Sequence, residues 1–364
     1  MHLIHIVSSG EWGGPERYAF DICRHYQRQG WSVKVLTRDA RAVDAPFAMA
    51  GIPVCHAPLR QYPDIYSARR LARMFAAIPE GEGVVHVHHY SDALTCLLAR
   101  RLSGRRDIRL VATRHSAGPA RDGVLSRIIY RGVDSYLFVS EFSREKFYER
   151  WHRAKAPLDR AKTAITYNSL YPFPGGGGAE AVKGPMSAAY RGKLKPGKGL
   201  ETLIDAFALL KKSKVRLRIM GKGNPDYVDS LRRRAQMAGV ADQIDWSRDT
   251  DFADTTLART HFGVLPSSEP EAFGMANLEF MASGKPQIST FTGAQREVLC
   301  AGEDSLEVPS GDVEALAETI LRLANDADLR ERLGANALSR YTSLFSWPLF
   351  ISRLHPHYQP QSQP

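Results

Sequence analysis

Two glutamates frame the run Pro266-Ser267-Ser268-Glu269-Pro270-Glu271-Ala272-Phe273-Gly274-Met275-Ala276-Asn277-Leu278-Glu279. Behind it Met275, Leu278, Met281 and Ala282 recur at helical spacing, and Gly284 and Pro286 are stop signals. The pattern predicts a helix entered through a Phe273-Gly274 turn. Glu271 then lies in the loop before the helix, and Glu279 a turn or so above its start. Unpaired N–H groups and the positive dipole end between them make an anion site. Such a site suits a ligand with a phosphate in the middle and hydroxyls at both ends, the layout of a nucleotide sugar.

Other stretches carry possible chemistry. Ser8-Ser9-Gly10-Glu11-Trp12-Gly13-Gly14-Pro15-Glu16-Arg17 follows an apolar run and opens a helical one. Gly13 and Gly14 would let backbone approach a phosphate, although the dinucleotide fingerprint G-x-G-x-x-G is absent. A second glycine-rich loop, Arg191-Gly192-Lys193-Leu194-Lys195-Pro196-Gly197-Lys198-Gly199, brings lysines to the end of another apolar run. His115 closes the run Ala112-Thr113-Arg114-His115. In His86-Val87-His88-His89, alternate residues of a strand share a face and could bind a metal, but no carboxylate–His set accompanies them. Asp249-Thr250-Asp251 is formally a metal–diphosphate motif; in a polar loop before a short helix it reads as capping chemistry.

The elements that must position these residues alternate. Short apolar runs at 3–8, 32–37, 84–88, 110–113, 135–139 and 163–166 read as buried strands, separated by helical patterns such as 16–29 and 93–102. After a glycine run at 175–178 the pattern restarts at 186–190, 216–220, 243–246, 262–265 and 286–289, with helices such as 200–211 and 226–238 between. Strands alternating with helices imply parallel sheets with right-handed crossovers. Two Rossmann-like halves joined by a flexible hinge are the simplest account. We expect domains at 1–172 and 186–340, a glycine-rich linker at 173–185, and a helix at 341–358 returning to the first domain. That tail carries Phe345, Trp347, Phe350, Ile351 and Leu354, which should pack on something.

With 364 residues, two cores are the default. The opening Met1-His-Leu-Ile-His-Ile-Val has no basic region or cleavage site, and no apolar run approaches a membrane span. Cys23, Cys55, Cys96 and Cys300 are scattered and read as reduced thiols of a cytoplasmic protein. The charge is uneven. Residues 1–174 hold 26 Lys and Arg against 16 Asp and Glu, whereas residues 175–364 hold 23 of each. Arg100, Arg101, Arg105, Arg106 and Arg109 are the densest basic cluster. It reads either as a solvated face or as a surface for anionic lipid head groups or a phosphorylated acceptor. Nucleic acid finds no recognition motif to support it.

The run Pro-Ser-x-x-x-Glu-x-Phe-Gly-x-x-x-x-Glu-x-Met-Ala-x-Gly-x-Pro resembles the signature of the retaining glycosyltransferases of family 4, and the resemblance covers nearly the whole chain. It implies the GT-B fold: an α/β protein of two Rossmann-like domains facing a cleft, with the last helix crossing back. By resemblance, Gly13 and Gly14 belong to a loop facing the acceptor and the donor phosphates. Gly192, Lys193 and Lys198 fall in the diphosphate loop, where the family has Arg at the position of Lys193. A lysine keeps the charge and loses the bidentate fork. His115 stands where the family has a His reaching the donor sugar. A His-x-His at a strand end is also a family feature, so no metal is expected at His86 and His88. Of the family's Asn-Gly-Val-Asp block only Asn168 is retained.

The implied activity is metal-independent transfer of a sugar from a UDP or GDP nucleotide sugar to a saccharide or lipid-linked acceptor. Glu271 would hold donor hydroxyls with the N–H groups of Phe273, Gly274 and Met275, and Glu279 the ribose, while Lys193 and Lys198 stabilise the leaving diphosphate. The basic first half favours an acceptor at the inner face of the plasma membrane, as in synthesis of lipopolysaccharide or another cell-surface polysaccharide. The alternatives on the same fold are a non-hydrolysing nucleotide-sugar epimerase and a non-catalytic nucleotide-sugar-binding subunit.

Overall fold

The structure is a computed structural model that describes residues 1–60, 64–149, 158–171, 184–247, 257 and 259–359. The chain forms two compact units, one of Met1–Tyr171 with Pro348–Pro364 and one of Pro172–Trp347. The glycine run at 175–178 and the Asp249–Asp251 motif lie outside the described residues.

The first unit holds seven strands: β1 (His2–Val7), β2 (Ser32–Thr37), β3 (Val54–His56), β4 (Gly83–Val87), β5 (Arg109–Arg114), β6 (Ser135–Phe138) and β7 (Thr163–Ile165). They form one parallel sheet in the order β3-β2-β1-β4-β5-β6-β7. Strand β1 is buried from Leu3 to Val7, as expected where helices cover both faces of a parallel sheet. The chain builds outward from β1 to β3, then crosses back to lay β4 against the other side of β1. The topological switch point is therefore between β1 and β4, where the loops after these strands diverge.

The second unit repeats the plan with β8 (Ser187–Arg191), β9 (Arg216–Met220), β10 (Ile244–Ser247), β11 (Phe262–Leu265), β12 (Gln287–Ser289) and β13 (Ser305–Glu307), all parallel in the order β10-β9-β8-β11-β12-β13. Its switch point is between β8 and β11. The loops that follow these two strands are the lysine–glycine loop and the run containing Glu271.

The tail differs from the single helix expected at 341–358. Tyr341–Phe345 is a π-helical turn, Ser346 is extended, and a separate helix spans Trp347–Leu354. Pro348 explains the break: proline inside a helix removes an N–H and clashes with the preceding turn, but it is tolerated in the first turn. The break divides the aromatic residues of the tail. Phe345 packs edge-on against Phe273 of the second unit, while Phe350 packs against Tyr18 of the first. Burial of Phe350 and Leu354 contributes about 2 kcal/mol each to seating the tail.

Candidate donor site and imidazole cluster

In the second unit the two switch-point loops are fastened to each other. The Gly197 carbonyl accepts from Ser268 N at 3.0 Å, Glu269 N at 3.2 Å and the Ser267 hydroxyl at 3.1 Å. Gly199 caps the helix Leu200–Leu209 in the left-handed region at φ 70°, and a Cβ there would lie 1.8 Å from the Pro266 carbonyl oxygen. Only glycine fits so close to the neighbouring loop. This contact places the Lys198 ammonium against the Glu271 carboxylate in an ion pair, both side chains about one-fifth exposed. Lys195 pairs with Glu269 at 3.0 Å further out in solvent. Lys193 is exposed, and its carbonyl accepts from the Tyr190 hydroxyl at 3.0 Å. Gly192 donates to the Met220 carbonyl at 3.0 Å, tying the loop to the end of β9.

The helix that carries the second glutamate spans Met275–Ala282. Gly274 is its N-cap at φ 89°, and no side chain caps it. Its first-turn N–H groups therefore keep the anion-binding character of a helix start. Phe273 is buried beneath the turn and Met275 is half-buried. Glu279 is also buried, and its carboxylate is ion-paired with Arg191, a buried residue at the end of β8. Sequence reasoning missed Arg191, whose partner lies 88 positions away with no local pattern to reveal it. A charge this deep requires such a counter-ion. Asn277, on the same helix, has both side-chain polar atoms buried without a hydrogen-bond partner.

In the first unit Gly13 is the N-cap of the helix Gly14–Arg28, which carries Pro15 in its first turn and has no side-chain cap. Ser8 anchors this loop by donating to Asp92 at 2.7 Å. Burial lifts the Asp92 carboxyl to about 6, against the pull of that bond. Beside it, at the switch point, four imidazoles collect. His5 of β1 and His86 of β4 are register partners, with His88 two residues on and His115 just past β5. His5 Nδ1 lies 2.8 Å from His88 Nε2, and His88 Nδ1 lies 3.2 Å from His115 Nε2. His86 is held between the Tyr358 and Thr113 hydroxyls. Burial pushes the His5 and His115 rings down to about 3, and those of His86 and His88 well below the usual range, so all four are neutral at pH 7. His5, His86 and His88 offer nitrogens within 4.8 Å of one another, close enough for a metal ion. Asp39, Asp44 and His56 form a second, more exposed group of that kind among the described residues.

Within the basic cluster Arg101 and Arg106 are exposed, whereas Arg100 and Arg105 are tied into the fold. Arg100 is ion-paired with Asp134 at 2.9 Å and donates to the Gly132 and Arg106 carbonyls. Arg105 is paired with Asp107 at 2.7 Å and bonds the carbonyls of Phe75, Ile78 and Pro79. Leu102 within that cluster is 47% exposed, and a larger apolar patch lies on the helix Val124–Gly132, where Val124, Leu125 and Ile128 are 76%, 49% and 47% exposed beside exposed Arg121, Arg127 and Arg131.

Two family models match the chain: "Glycosyltransferase Family 4" over residues 12–169 and "Glycosyl transferases group 1" over residues 180–340. A phosphatidyl-myo-inositol mannosyltransferase of Mycobacterium leprae is 26% identical over 95% of this chain and 93% of its own length. A D-inositol 3-phosphate glycosyltransferase of Xylanimonas cellulosilytica is 25% identical over 93% of this chain and 89% of its own. Among solved structures, Anabaena Alr3699/HepE in complex with UDP and glucose superposes with a TM-score of 0.81 at 17% identity, covering 97% of this chain and 98% of that one. A glycosyltransferase from Rickettsia africae matches equally well, with a TM-score of 0.81 at 17% identity over 98% and 97% of the two chains.

Proposed function

The chain belongs to glycosyltransferase family 4, with the GT-B fold, and from that premise we propose that it transfers a sugar from a UDP or GDP nucleotide sugar to a lipid-linked or saccharide acceptor of the cell surface, without a metal and with retention at the anomeric carbon. The observation that carries the donor assignment is the convergence of the Lys198–Glu271 pair and the uncapped helix start at Gly274 on the switch point between β8 and β11. Ligands of open α/β sheets bind outside the carboxyl ends of the strands at such a point.

In this reading the diphosphate takes Lys198 as its partner, and Lys193 reaches it from the exposed edge of the same loop. Hydroxyls of the donor sugar take Glu271, assisted by the N–H groups of Phe273, Gly274 and Met275. Positive charge aimed at the departing diphosphate lowers the barrier as a metal would. Glu279, ion-paired with Arg191, accepts from the ribose. Gly13 and Gly14 form the phosphate and acceptor loop of the first unit, and His115 serves the reacting sugar. The acceptor proton passes to an oxygen of the leaving diphosphate, so Glu271 orients the sugar and forms no covalent bond.

One relative is named a phosphatidyl-myo-inositol mannosyltransferase, and the exposed apolar residues of the helix Val124–Gly132 with its arginines support a peripheral position on an anionic membrane. No helix among the described residues is long and apolar enough to cross a membrane. Incubation with candidate nucleotide sugars tests the function. Release of nucleoside diphosphate that depends on an added acceptor is expected. An epimerised donor produced without an acceptor would replace this reading by an epimerase.

A further inference from the structure

Of the four imidazoles of the first unit the proposed reaction uses His115 alone, and the arrangement of the other three has no role in it. His5 is fully buried, His88 is 8% exposed, and His115 lies half-buried beyond the end of β5. Their contacts run in line, His5 Nδ1 to His88 Nε2 and His88 Nδ1 to His115 Nε2. Tyr18 packs edge-on against His88 and His115, with ring centroids 5.6 and 4.9 Å away. His86 stands beside this line, fixed by Tyr358 and Thr113.

A neutral imidazole has one N–H donor and one bare nitrogen acceptor. Three such rings joined by two N···N contacts therefore admit only two proton arrangements, all inward or all outward. The inward one leaves a proton on His5 Nε2, an atom in the core with no hydrogen-bond partner. Orphaned buried N–H groups are rare and costly. The outward one leaves a bare lone pair there, an unsatisfied acceptor being tolerated more often than an orphaned N–H, passes each proton toward the strand end, and leaves His115 with an Nδ1–H.

We propose that His5 and His88 are positioning residues that fix His115 as a neutral imidazole carrying its proton on Nδ1, a hydrogen-bond donor toward the reacting sugar. The functional half rests on the assignment of His115 to that sugar. The ring orients and donates; it stays uncharged because burial opposes protonation. The tautomer of a histidine is set by what its other nitrogen contacts, and here that contact is a second histidine set by a third.

The test is 15N NMR of histidine-labelled protein at pH 7, with the His115 signals identified by their loss in His115→Phe. The expected spectrum shows a protonated, pyrrole-type Nδ1 and a bare, pyridine-type Nε2. His88→Phe should return His115 toward the Nε2–H form and lower turnover roughly tenfold, the value of one hydrogen bond of about 1.4 kcal/mol, with a smaller change in the KM of the donor. His88→Asn, whose amide N–H can stand in for Nδ1–H, should recover most of that loss. A His115 protonated on Nε2, or on both nitrogens, in the parent protein would overturn the proposal, and that spectrum needs no variant to fold. An unchanged His115 pattern in His88→Phe would also overturn it. So would one equivalent of zinc bound by the parent and lost in His5→Phe and His88→Phe, since the rings would then be ligands. Unchanged transfer in His115→Phe would instead remove His115 from the reaction, whatever the tautomer, and so separates the two claims.

Discussion

Lys198 and Glu271 are joined across the switch point of the second sheet, each the nearest opposite charge to the other although 73 residues separate them. The pair has a consequence for ligand binding, because each partner is neutralised by the group that a nucleotide sugar would replace. Glu271→Ala should abolish transfer yet leave nucleoside diphosphate binding equal or tighter, since Lys198 is released to the phosphates. Lys198→Ala should weaken UDP or GDP by about tenfold or more, the scale of a charge-assisted bond, with little effect on the bare nucleoside. Calorimetry on the two variants checks both. Weaker diphosphate binding in Glu271→Ala would contradict the exchange of partners.

Much of the fold is legible in the sequence because parallel strands buried on both faces read as continuous apolar runs. Strands β3 and β13 escaped that reading, because Val54–His56 and Ser305–Glu307 mix polar with apolar residues and show no continuous apolar run. The loop-and-helix placement of Glu271 and Glu279 is likewise local information. Their partners are not. Arg191 is an arginine at the end of a strand, and only the sheet order β8-β11 brings it under Glu279. Arg100 and Arg105 read as surface charge, because the carbonyls that hold them come from other segments of the chain. His5 sits in an apolar strand whose alternation announces burial and says nothing of the second histidine it will meet.

Gly199→Ala should destabilise the second unit by about 3 kcal/mol or more. Two causes act together: a left-handed φ that L-residues adopt at a cost, and a Cβ pressed into the Pro266 carbonyl oxygen. Denaturant unfolding followed by Trp246 fluorescence in a protein with its other tryptophans replaced would report it. A loss below about 1 kcal/mol would mean that the two loops separate easily.

The metal-free mechanism predicts that EDTA leaves transfer nearly unchanged. On that proposal Lys198, Lys193 and the helix start at Gly274 would supply the positive charge in its place. Loss of activity on chelation, restored by manganese or magnesium, would assign the diphosphate to a metal instead.

The first unit should lose stability on mild acidification, and the sign follows from burial. His5, His86 and His88 have depressed folded-state values, so the unfolded chain binds more protons below its ordinary value of 6.5. Their stabilisation is complete above pH 6.5 and is lost as pH falls, by about 2 kcal/mol for each ring at pH 5. Asp21 and Asp92, both raised to about 6, work in the opposite direction, each regaining about 1.4 kcal/mol between pH 7 and 5. The histidines win. Thermal unfolding should show a lower Tm at pH 5 than at pH 7, and a smaller drop in His5→Phe. An equal drop in that variant would place the acid sensitivity elsewhere.

Membrane association should depend on the helix Val124–Gly132 and not on the arginine cluster preceding β5. Val124, Leu125 and Ile128 offer aliphatic surface that could enter the headgroup boundary, and Arg121, Arg127 and Arg131 stand beside it to meet anionic lipid. Each such arginine is worth about 1 kcal/mol near the surface, screened within a Debye length of about 10 Å at 0.1 M salt. The protein should therefore sediment with anionic vesicles and not with neutral ones, and added salt should weaken binding. Replacing Val124, Leu125 and Ile128 by serine should abolish sedimentation while transfer to a water-soluble acceptor continues. Arg100→Ser and Arg105→Ser should instead lower Tm, because they remove ion pairs and carbonyl contacts within the fold, and should leave vesicle binding near that of the parent. Sedimentation unaffected by the three serines would return this helix to the status of ordinary exposed surface.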